Sequence, residues 1–215
     1  MARNDALSTL ESTLRIYLVR HGETVVSRGG LYRDGARLTK RGRAQARALA
    51  AVLPDFGVTR LVTSGMRRAF ETVRPLERAT GMRAAAMPGL NEISNGWLRD
   101  APIEQIVEKA GSGEWRMFFE EYGGESAGSF AERVIQSFER LADGGVGQVD
   151  AVAAIIHGGS INVILDYVRG RRFDGRLRHL LPNASISLLE SAGHGFHVGF
   201  VGVTGHLTGA AQPRQ

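Results

Sequence analysis

The chain of 215 residues contains no cysteine. Without thiols, the protein can form no disulfide bond, and it has neither a cysteine nucleophile nor thiolate ligands for a metal. Sites that depend on a thiol are therefore excluded.

Long apolar runs are missing as well. No apolar stretch approaches the roughly 18 residues that a membrane-spanning helix needs. Residues 1–12 are polar and lack the apolar segment of a secretory signal. We therefore expect a cytoplasmic protein that has no membrane partner.

The chain also lacks a basic helix or a platform of alternating aromatic and basic residues, despite its net charge of +5. Basic side chains such as Lys40, Arg43 and Arg47 are spread over presumed helix surfaces. We expect a solvated basic surface and no nucleic-acid partner. A positive field also suits a small anionic substrate. The sequence leaves a homodimer open.

Short apolar segments are typical of buried strands. Three of them, residues 14–19, 60–63 and 151–156, each lead through a polar or glycine-containing turn into a helical pattern. Residues 185–189 and 196–203 resume β character near the end of the chain. The alternation of strands and helices predicts an α/β domain with a largely parallel sheet.

The helical patterns have recognisable boundaries. Thr39 is placed to cap a helix over residues 40–53. A second helix is predicted over residues 66 to about 74, and Pro75 is expected to kink or end it. A third helix covers residues 160–168.

Residues 101–142 show no strand signal. Helices are predicted over residues 102–110 and 113–122, and a further helix follows a pair of glycines. Ser129 and Glu132 have the spacing of a capping box at the start of that helix.

An aromatic stripe lies within this helical region. Trp115, Phe118, Phe119 and Tyr122 recur at the spacing of one helix face. Such a stripe is more often part of the core, but it can also line a pocket for an apolar or aromatic substrate. The sequence leaves both readings open.

Chemically reactive residues follow three of the predicted strands. Arg20-His21-Gly22 ends the first, Arg67 and Arg68 follow the second, and His157 ends the third. The carboxyl ends of such strands gather at one edge of an open sheet. A histidine supplies a nitrogen nucleophile, and arginine donors fit phosphate oxygens. Glycine allows the backbone to approach an anion closely.

Four separated segments, in order along the chain, share a recognisable pattern. They are Arg20-His21-Gly22-Glu23-Thr24, Ser64-Gly65-Met66-Arg67-Arg68-Ala69, Leu90-Asn91-Glu92 before Gly96-Trp97, and His157-Gly158-Gly159. Together they resemble the histidine phosphatase superfamily, branch 1, the phosphoglycerate mutase-like phosphatases. Weaker similarities occur at Leu38-Thr39 with Gly42, at Gly123-Gly124-Glu125-Ser126, and at Asn183-Ala184-Ser185 with His206-Leu207.

This resemblance implies a fold and a domain organisation. The expected fold is a three-layer α/β/α sandwich around a largely parallel sheet, similar to phosphoglycerate mutase. We expect one domain over residues 1–215 with a core at 14–207. Residues 101–142 would be a helical insertion that forms a cap.

The resemblance also implies a mechanism and its catalytic residues. His21 would attack phosphorus and form a phosphohistidine, which water then hydrolyses. Arg20, Arg68 and His157 would surround the phosphoryl oxygens. Glu92 would protonate the leaving group and then activate water. Neither a metal nor another cofactor is required.

Substrate contacts are expected in two places. Gly22 and the backbone of Gly158, near a helix start, would lie against the phosphoryl group. The second place is the loop after the nucleophile, where this chain departs from the family. Ser27 stands where the family often has asparagine, and Arg28 and Arg33, with Tyr32 between them, are candidate substitutes for the usual contacts. The substrate class therefore stays open.

The resemblance favours a histidine acid-type phosphatase, a phosphoric monoester hydrolase that acts on a small anionic ester. Phosphoglycerate mutases of the family carry a longer insertion between the acid and the second histidine than this chain has between Glu92 and His157. A cofactor-dependent mutase-type phosphotransferase is the alternative. A non-catalytic phosphate-binding module is the third hypothesis.

Overall fold

The computed structural model describes residues 13–25, 35–97, 115–143, 151–192 and 195–208. These residues form a mixed sheet of six strands in the order β3-β2-β4-β1-β5-β6. Strands β1 to β4 are parallel, whereas β5 is antiparallel to both β1 and β6. The strands are β1 (Arg15–Arg20), β2 (Arg60–Thr63), β3 (Ala85–Ala86), β4 (Ala151–Ile156), β5 (Ile186–Ala192) and β6 (Gly195–Val203).

Helices cover both faces of this sheet. Helices α1 and α2 pack with one face of the sheet, and α3 and α4 pack with the other. The predicted three-layer α/β/α fold is thus confirmed. The helices are α1 (Lys40–Val52), α2 (Arg67–Thr80), α3 (Ala127–Asp143) and α4 (Gly158–Val168).

The central strand β1 shows why both faces are covered. Ile16 and Leu18 belong to the core under α3 and α4, while Tyr17 and Val19 belong to the core under α1 and α2. Successive side chains of a strand point to opposite faces, so an all-apolar strand needs a layer on each side. Burying each large aliphatic side chain contributes about 1.5–3 kcal/mol.

Helix α1 begins where the sequence predicts it. The Oγ1 atom of Thr39 accepts a 2.9 Å hydrogen bond from the backbone nitrogen of Gly42. This bond satisfies one of the amides that a helix start leaves unpaired.

Helix α2 corrects the prediction that Pro75 can end it. The helix passes through Pro75 and continues to Thr80, ending at Gly81 in the left-handed conformation. Proline inside a helix costs about 3 kcal/mol because it removes a hydrogen bond and crowds the preceding turn. Val73 and Leu76 are buried on either side of Pro75, and this packing offsets that cost.

Helix α3 corrects the predicted capping box of Ser129 and Glu132. The helix begins at Ala127, and the Oγ atom of Ser126 accepts from the backbone nitrogen of Ser129 at 3.0 Å. Glu132 instead accepts a hydrogen bond from Gln136 within the helix. Ser126, three residues before the predicted cap Ser129, therefore caps the start of this helix. The predicted apolar face, Phe130, Val134, Phe138 and Leu141, is buried.

Residues Trp115–Tyr122 form a 3-10 helix, where the sequence predicted a helix over 113–122. Phe119 and Tyr122 are buried in the core with Phe130, so this part of the aromatic stripe is core. The helix predicted over 102–110 lies outside the described residues. Strand β3 was missed because two alanines carry no strand signal. In the ranges that the structure describes, no helix is both long and apolar enough to span a bilayer.

Candidate active site

The candidate site lies where the carboxyl ends of β1, β2 and β4 meet. Arg20 pairs in register with Ile156, and Thr63 pairs with Ile155. This register brings His21, Ser64 and His157, the next residues of the three strands, to one edge of the sheet.

The imidazole of His21 is held in one neutral tautomer. Its Nδ1 atom lies 2.8 Å from the carbonyl oxygen of Gly22, and a carbonyl can only accept, so Nδ1 carries the proton. The Nε2 atom therefore carries a lone pair, and it accepts from Nε of Arg68 at 3.2 Å. Asn183 fixes the backbone by donating to the carbonyl of His21 at 3.1 Å.

The environment of His21 favours its neutral form. Burial and the nearby positive charge of Arg68 hold its pKa well below the usual value of 6.5. The hydrogen bond to the Gly22 carbonyl acts in the opposite direction, and Arg20 adds to the lowering. A neutral imidazole is the form that attacks an electrophile.

The structure brings Arg68, and not Arg67, to His21. Arg68 is buried, with 1% of the residue exposed, and its side chain contacts His21 from the first turn of α2. The side chain of Arg67 is 44% exposed and pairs with Glu71 at 2.9 Å.

Arg20 approaches the site from the end of β1. It donates from its guanidinium to the carbonyl of Leu181. A Cβ atom at Gly158 would lie 3.6 Å from Nε of Arg20, so the guanidinium passes close to the start of α4. Arg20 thus reaches the same end of the sheet as the two histidines.

His157 faces His21 across the site. The two ring centroids are 5.1 Å apart, and His157 is fully buried. Burial and the positive charge of Arg68 are the main causes that hold the pKa of His157 well below its usual range.

Ser64 is a partner of His157 that sequence reasoning missed. Its Oγ atom lies 2.7 Å from Nε2 of His157 and accepts a 3.3 Å hydrogen bond from the backbone nitrogen of Met66. Its position directly after β2, at the same sheet edge as the histidines, was the available signal.

Glu92 lies at the start of α4. Its Oε2 atom accepts from the backbone nitrogen of Gly159 at 2.9 Å, and its Oε1 atom accepts from the nitrogen of Ile93 at 3.0 Å. These two backbone nitrogens orient the carboxyl group of Glu92. A Cβ at Gly159 would lie 2.1 Å from Oε1, so only glycine leaves room for this carboxylate.

Gly22 has a role in packing that the sequence did not indicate. A Cβ at this position would lie 2.6 Å from the carbonyl oxygen of Gly42 in α1. The backbone nitrogen of Gly22 donates to Oγ1 of Thr72 at 3.0 Å, and Thr72 donates to the carbonyl of Arg68. Thr72 therefore links the turn that follows His21 to helix α2, which carries Arg68.

The remaining predicted substrate contacts have different outcomes. Gly158 is the first residue of α4 and lies against Arg20. Ser27, Arg28, Tyr32 and Arg33 lie outside the described residues.

A cavity of about 760 Å³ adjoins Glu92. Its described lining is mainly polar and includes Gly65, Asn91, Glu125 and Arg133. This volume can hold the alcohol portion of a phosphate ester next to the carboxylate. In the described ranges, no group of three or more histidine or acidic side chains is arranged to hold a metal ion.

Comparison with known proteins identifies the family of the chain. The model of the histidine phosphatase superfamily (branch 1) matches residues 16–204. The chain is 27% identical over 184 residues to a protein of Yersinia enterocolitica named "Probable phosphoglycerate mutase GpmB", covering 82% of this chain and 85% of that protein.

Two solved structures share the fold. A mycobacterial glucosyl-3-phosphoglycerate phosphatase superposes with a TM-score of 0.74 at 22% identity, covering 88% of this chain and 99% of that one. A phosphoglycerate mutase from Bacillus anthracis superposes with a TM-score of 0.79 at 15% identity, covering 92% and 96% of the two chains.

Proposed function

The chain belongs to the histidine phosphatase superfamily, branch 1, and from this premise we propose that it hydrolyses a small phosphomonoester through a phosphohistidine on His21. The observation that carries the proposal is the state of this imidazole. Its Nδ1–H is directed to a carbonyl, and its Nε2 lone pair lies beside a buried guanidinium. A nucleophile and a phosphate-binding cation are therefore adjacent.

The first step transfers the phosphoryl group to the enzyme. Arg68 Nε shifts its hydrogen bond from His21 to a phosphoryl oxygen, and Nε2 of His21 attacks phosphorus in line. The N–P bond forms as the bond from phosphorus to the ester oxygen breaks. Protonated Glu92 gives its proton to that oxygen, so the product leaves as a neutral alcohol.

Two arginines and the second histidine stabilise the transferring group. Arg20 and Arg68 offer cationic donors to the equatorial oxygens, where negative charge is spread in the transition state. His157 adds a neutral imidazole donor from the opposite side of the site. Such donors act strongly here because the two histidines and Arg68 are buried.

The second step returns the enzyme to its starting state. Glu92, now a carboxylate, accepts a proton from a water molecule whose oxygen attacks phosphorus. The N–P bond breaks, inorganic phosphate forms, and Nε2 of His21 regains its lone pair. The proton that Glu92 has taken from water leaves it protonated for the next cycle.

A phosphoglycerate mutase-type phosphotransferase is the second candidate. The similarity to the Yersinia enterocolitica protein named as a mutase supports it. In a mutase, the phosphohistidine passes its phosphoryl group back to substrate instead of to water. Isomerisation of phosphoglycerate that depends on a bisphosphate primer would favour this candidate over the phosphatase.

A screen of phosphate release over a broad panel of phosphomonoesters tests the proposal. We expect release without a primer, and we expect His21→Ala to abolish it. His197→Ala is the matched control, because His197 is exposed and pairs with Glu190 on the outer strands. Activity retained in His21→Ala contradicts the mechanism. Phosphate binding by the wild type without any turnover would indicate a non-catalytic module.

A further inference from the structure

A guanidinium from α3 contacts the loop that carries Glu92. NH1 of Arg133 donates to the carbonyl of Gly89 at 2.9 Å and to the carbonyl of Asn91 at 3.1 Å. The carbonyl of Asn91 belongs to the peptide bond that leads into Glu92. Arg133 therefore fixes the backbone immediately before the acid.

The other edge of the same guanidinium is also fixed. Nε and NH2 of Arg133 donate to the two carboxylate oxygens of Glu125 at 2.8 and 2.7 Å. Such a bidentate pair fixes the plane of the guanidinium as well as its position. Glu125 belongs to the Gly123-Gly124-Glu125-Ser126 segment, to which the phosphoryl-transfer steps assign no role.

The backbone that follows Glu92 packs closely against this segment. The backbone nitrogen of Glu125 donates to the carbonyl of Ser94 at 2.8 Å. A Cβ at Gly124 would lie 2.5 Å from that carbonyl oxygen, and a Cβ at Gly96 would lie 1.9 Å from the carbonyl oxygen of Tyr122. The two backbones therefore approach each other more closely than side chains would allow.

The turn before Glu92 packs on α3 in the same way. A Cβ at Gly89 would lie 1.9 Å from Oγ of Ser137. Ser160 of α4 adds hydrogen bonds of 3.2 Å to the carbonyls of Leu90 and Asn91. The loop that carries Glu92 is thus held by α3 on one side and by α4 on the other. The guanidinium of Arg133 connects this loop to Glu125.

We infer that Arg133, oriented by Glu125, is a positioning residue that holds Glu92 in place for proton transfer to the leaving group. The inference rests on the proposed function, because it assigns Arg133 a role through the acid. A general acid acts only from within hydrogen-bond reach of the ester oxygen. A displacement of about 1 Å in a catalytic group can cost about 100-fold in rate.

A series of leaving groups separates positioning of the acid from general stability. A nitrophenolate departs readily without a proton, whereas an alkoxide needs one. The value of kcat/KM reports every step up to the first irreversible one, here the departure of the leaving group. Loss of the acid therefore lowers kcat/KM much more for alkyl phosphates than for nitrophenyl phosphates.

The variant to test is Arg133→Gln, with Arg140→Gln as its control. Arg140 is exposed on the same helix, so the control makes the same charge change away from the site. For Arg133→Gln we expect kcat/KM to fall about 10- to 100-fold for an alkyl phosphate and less than about 3-fold for p-nitrophenyl phosphate. Arg140→Gln should leave both values unchanged.

Glu92→Gln supplies the reference for complete loss of the acid. We expect both Arg133→Gln and Glu92→Gln to make kcat/KM depend more steeply on the leaving group. In the double variant, Arg133→Gln should cause little change beyond that of Glu92→Gln, because the effects of residues that act through one group are not additive. Glu125→Gln keeps the size of the side chain and should also make kcat/KM depend more steeply on the leaving group. It tests the inference even if Arg133→Gln does not fold.

Several outcomes would overturn the inference without affecting the proposed function. An equal loss for all leaving groups in Arg133→Gln would show a merely structural role. A full additional loss on the Glu92→Gln background would show that Arg133 acts independently of the acid. By contrast, a leaving-group series unaffected by Glu92→Gln itself would contradict the role proposed for Glu92.

Discussion

The Oε2 atom of Glu92 accepts a 2.9 Å hydrogen bond from the backbone nitrogen of Gly159, and a side-chain carbon at Gly159 would overlap the Oε1 atom of the same carboxylate. The contact joins the predicted acid, on a loop after β3, to the first turn of α4, which follows His157. Gly159, two residues after the second histidine, therefore makes room for the carboxylate.

Replacing Gly159 by alanine should displace Glu92. The added Cβ would lie 2.1 Å from Oε1. Because general acid catalysis contributes about 10²–10⁴-fold, we expect kcat/KM for an alkyl phosphate to fall by about 10²-fold. Gly128→Ala is the control, since Gly128 is likewise the second residue of a helix, but its Cβ would meet no atom closer than 3.8 Å. Equal activity of the two variants would contradict the steric argument.

Arg68 and Arg67 should differ sharply in their importance. Arg68→Met removes the buried cation beside Nε2 of His21, and removal of one such donor costs about 10²–10³-fold in rate. Arg67→Met alters only an exposed pair, which is worth about 1 kcal/mol or less. Steady-state kinetics on one ester, with thermal unfolding of each variant, measures the difference. A larger loss in Arg67→Met would reverse the assignment.

Ser64 should set the tautomer of His157. The buried hydroxyl of Ser64 accepts from Met66, and within the described residues its own proton has Nε2 of His157 as hydrogen-bond partner. We therefore expect ¹⁵N NMR to show an unprotonated Nε2 and a protonated Nδ1 in His157. Ser64→Ala should weaken inhibition by inorganic phosphate about 10-fold, the equivalent of about 1.4 kcal/mol. A protonated Nε2 in the wild type would contradict this assignment.

The buried histidines should make the protein less stable in weak acid. Burial, with the charge of Arg68, lowers the pKa of both His21 and His157, so the unfolded chain takes up protons below about pH 6.5 while the folded protein does not. The free energy of unfolding should then fall by about 1.4 kcal/mol per pH unit for each histidine as the pH drops below 6.5. Above about pH 6.5, these two histidines contribute no pH dependence to the free energy of unfolding.

Urea unfolding between pH 7.5 and 5.5 measures this slope. His21→Gln should reduce it by about 1.4 kcal/mol per pH unit relative to the wild type. The comparison of slopes removes the constant change in stability that the substitution itself causes. Identical slopes in the two proteins would show that His21 binds a proton equally in the folded and unfolded states.

The fold was largely predictable because its signals are local. The apolar strands β1, β2 and β4 and the Thr39 cap each follow from a few consecutive residues. The errors arose where packing decides the outcome. Pro75 lies inside α2 because buried neighbours hold the helix together, and Ser126 rather than Ser129 caps α3.

The parts of the site that the sequence did not reveal depend on contacts between distant segments. The sequence suggested that Gly22 is needed because the backbone approaches an anion there. In the structure, the carbonyl oxygen of Gly42 leaves no room for a side chain at position 22. The contact of Ser64 with His157 joins two strand ends. Arg133 is 44 residues from Gly89 and 42 residues from Asn91, which it contacts, and nothing in its local pattern distinguishes it from a solvated arginine.

Trapping the phosphoenzyme tests the central claim most directly. With Glu92→Gln and p-nitrophenyl phosphate, the leaving group departs without the acid, whereas activation of water is impaired. We predict a burst of one equivalent of nitrophenolate and, after quenching in alkali, an acid-labile phosphoryl group on His21 by mass spectrometry. If the wild type releases phosphate but neither protein forms this adduct, or if the adduct lies on another residue, the account is contradicted.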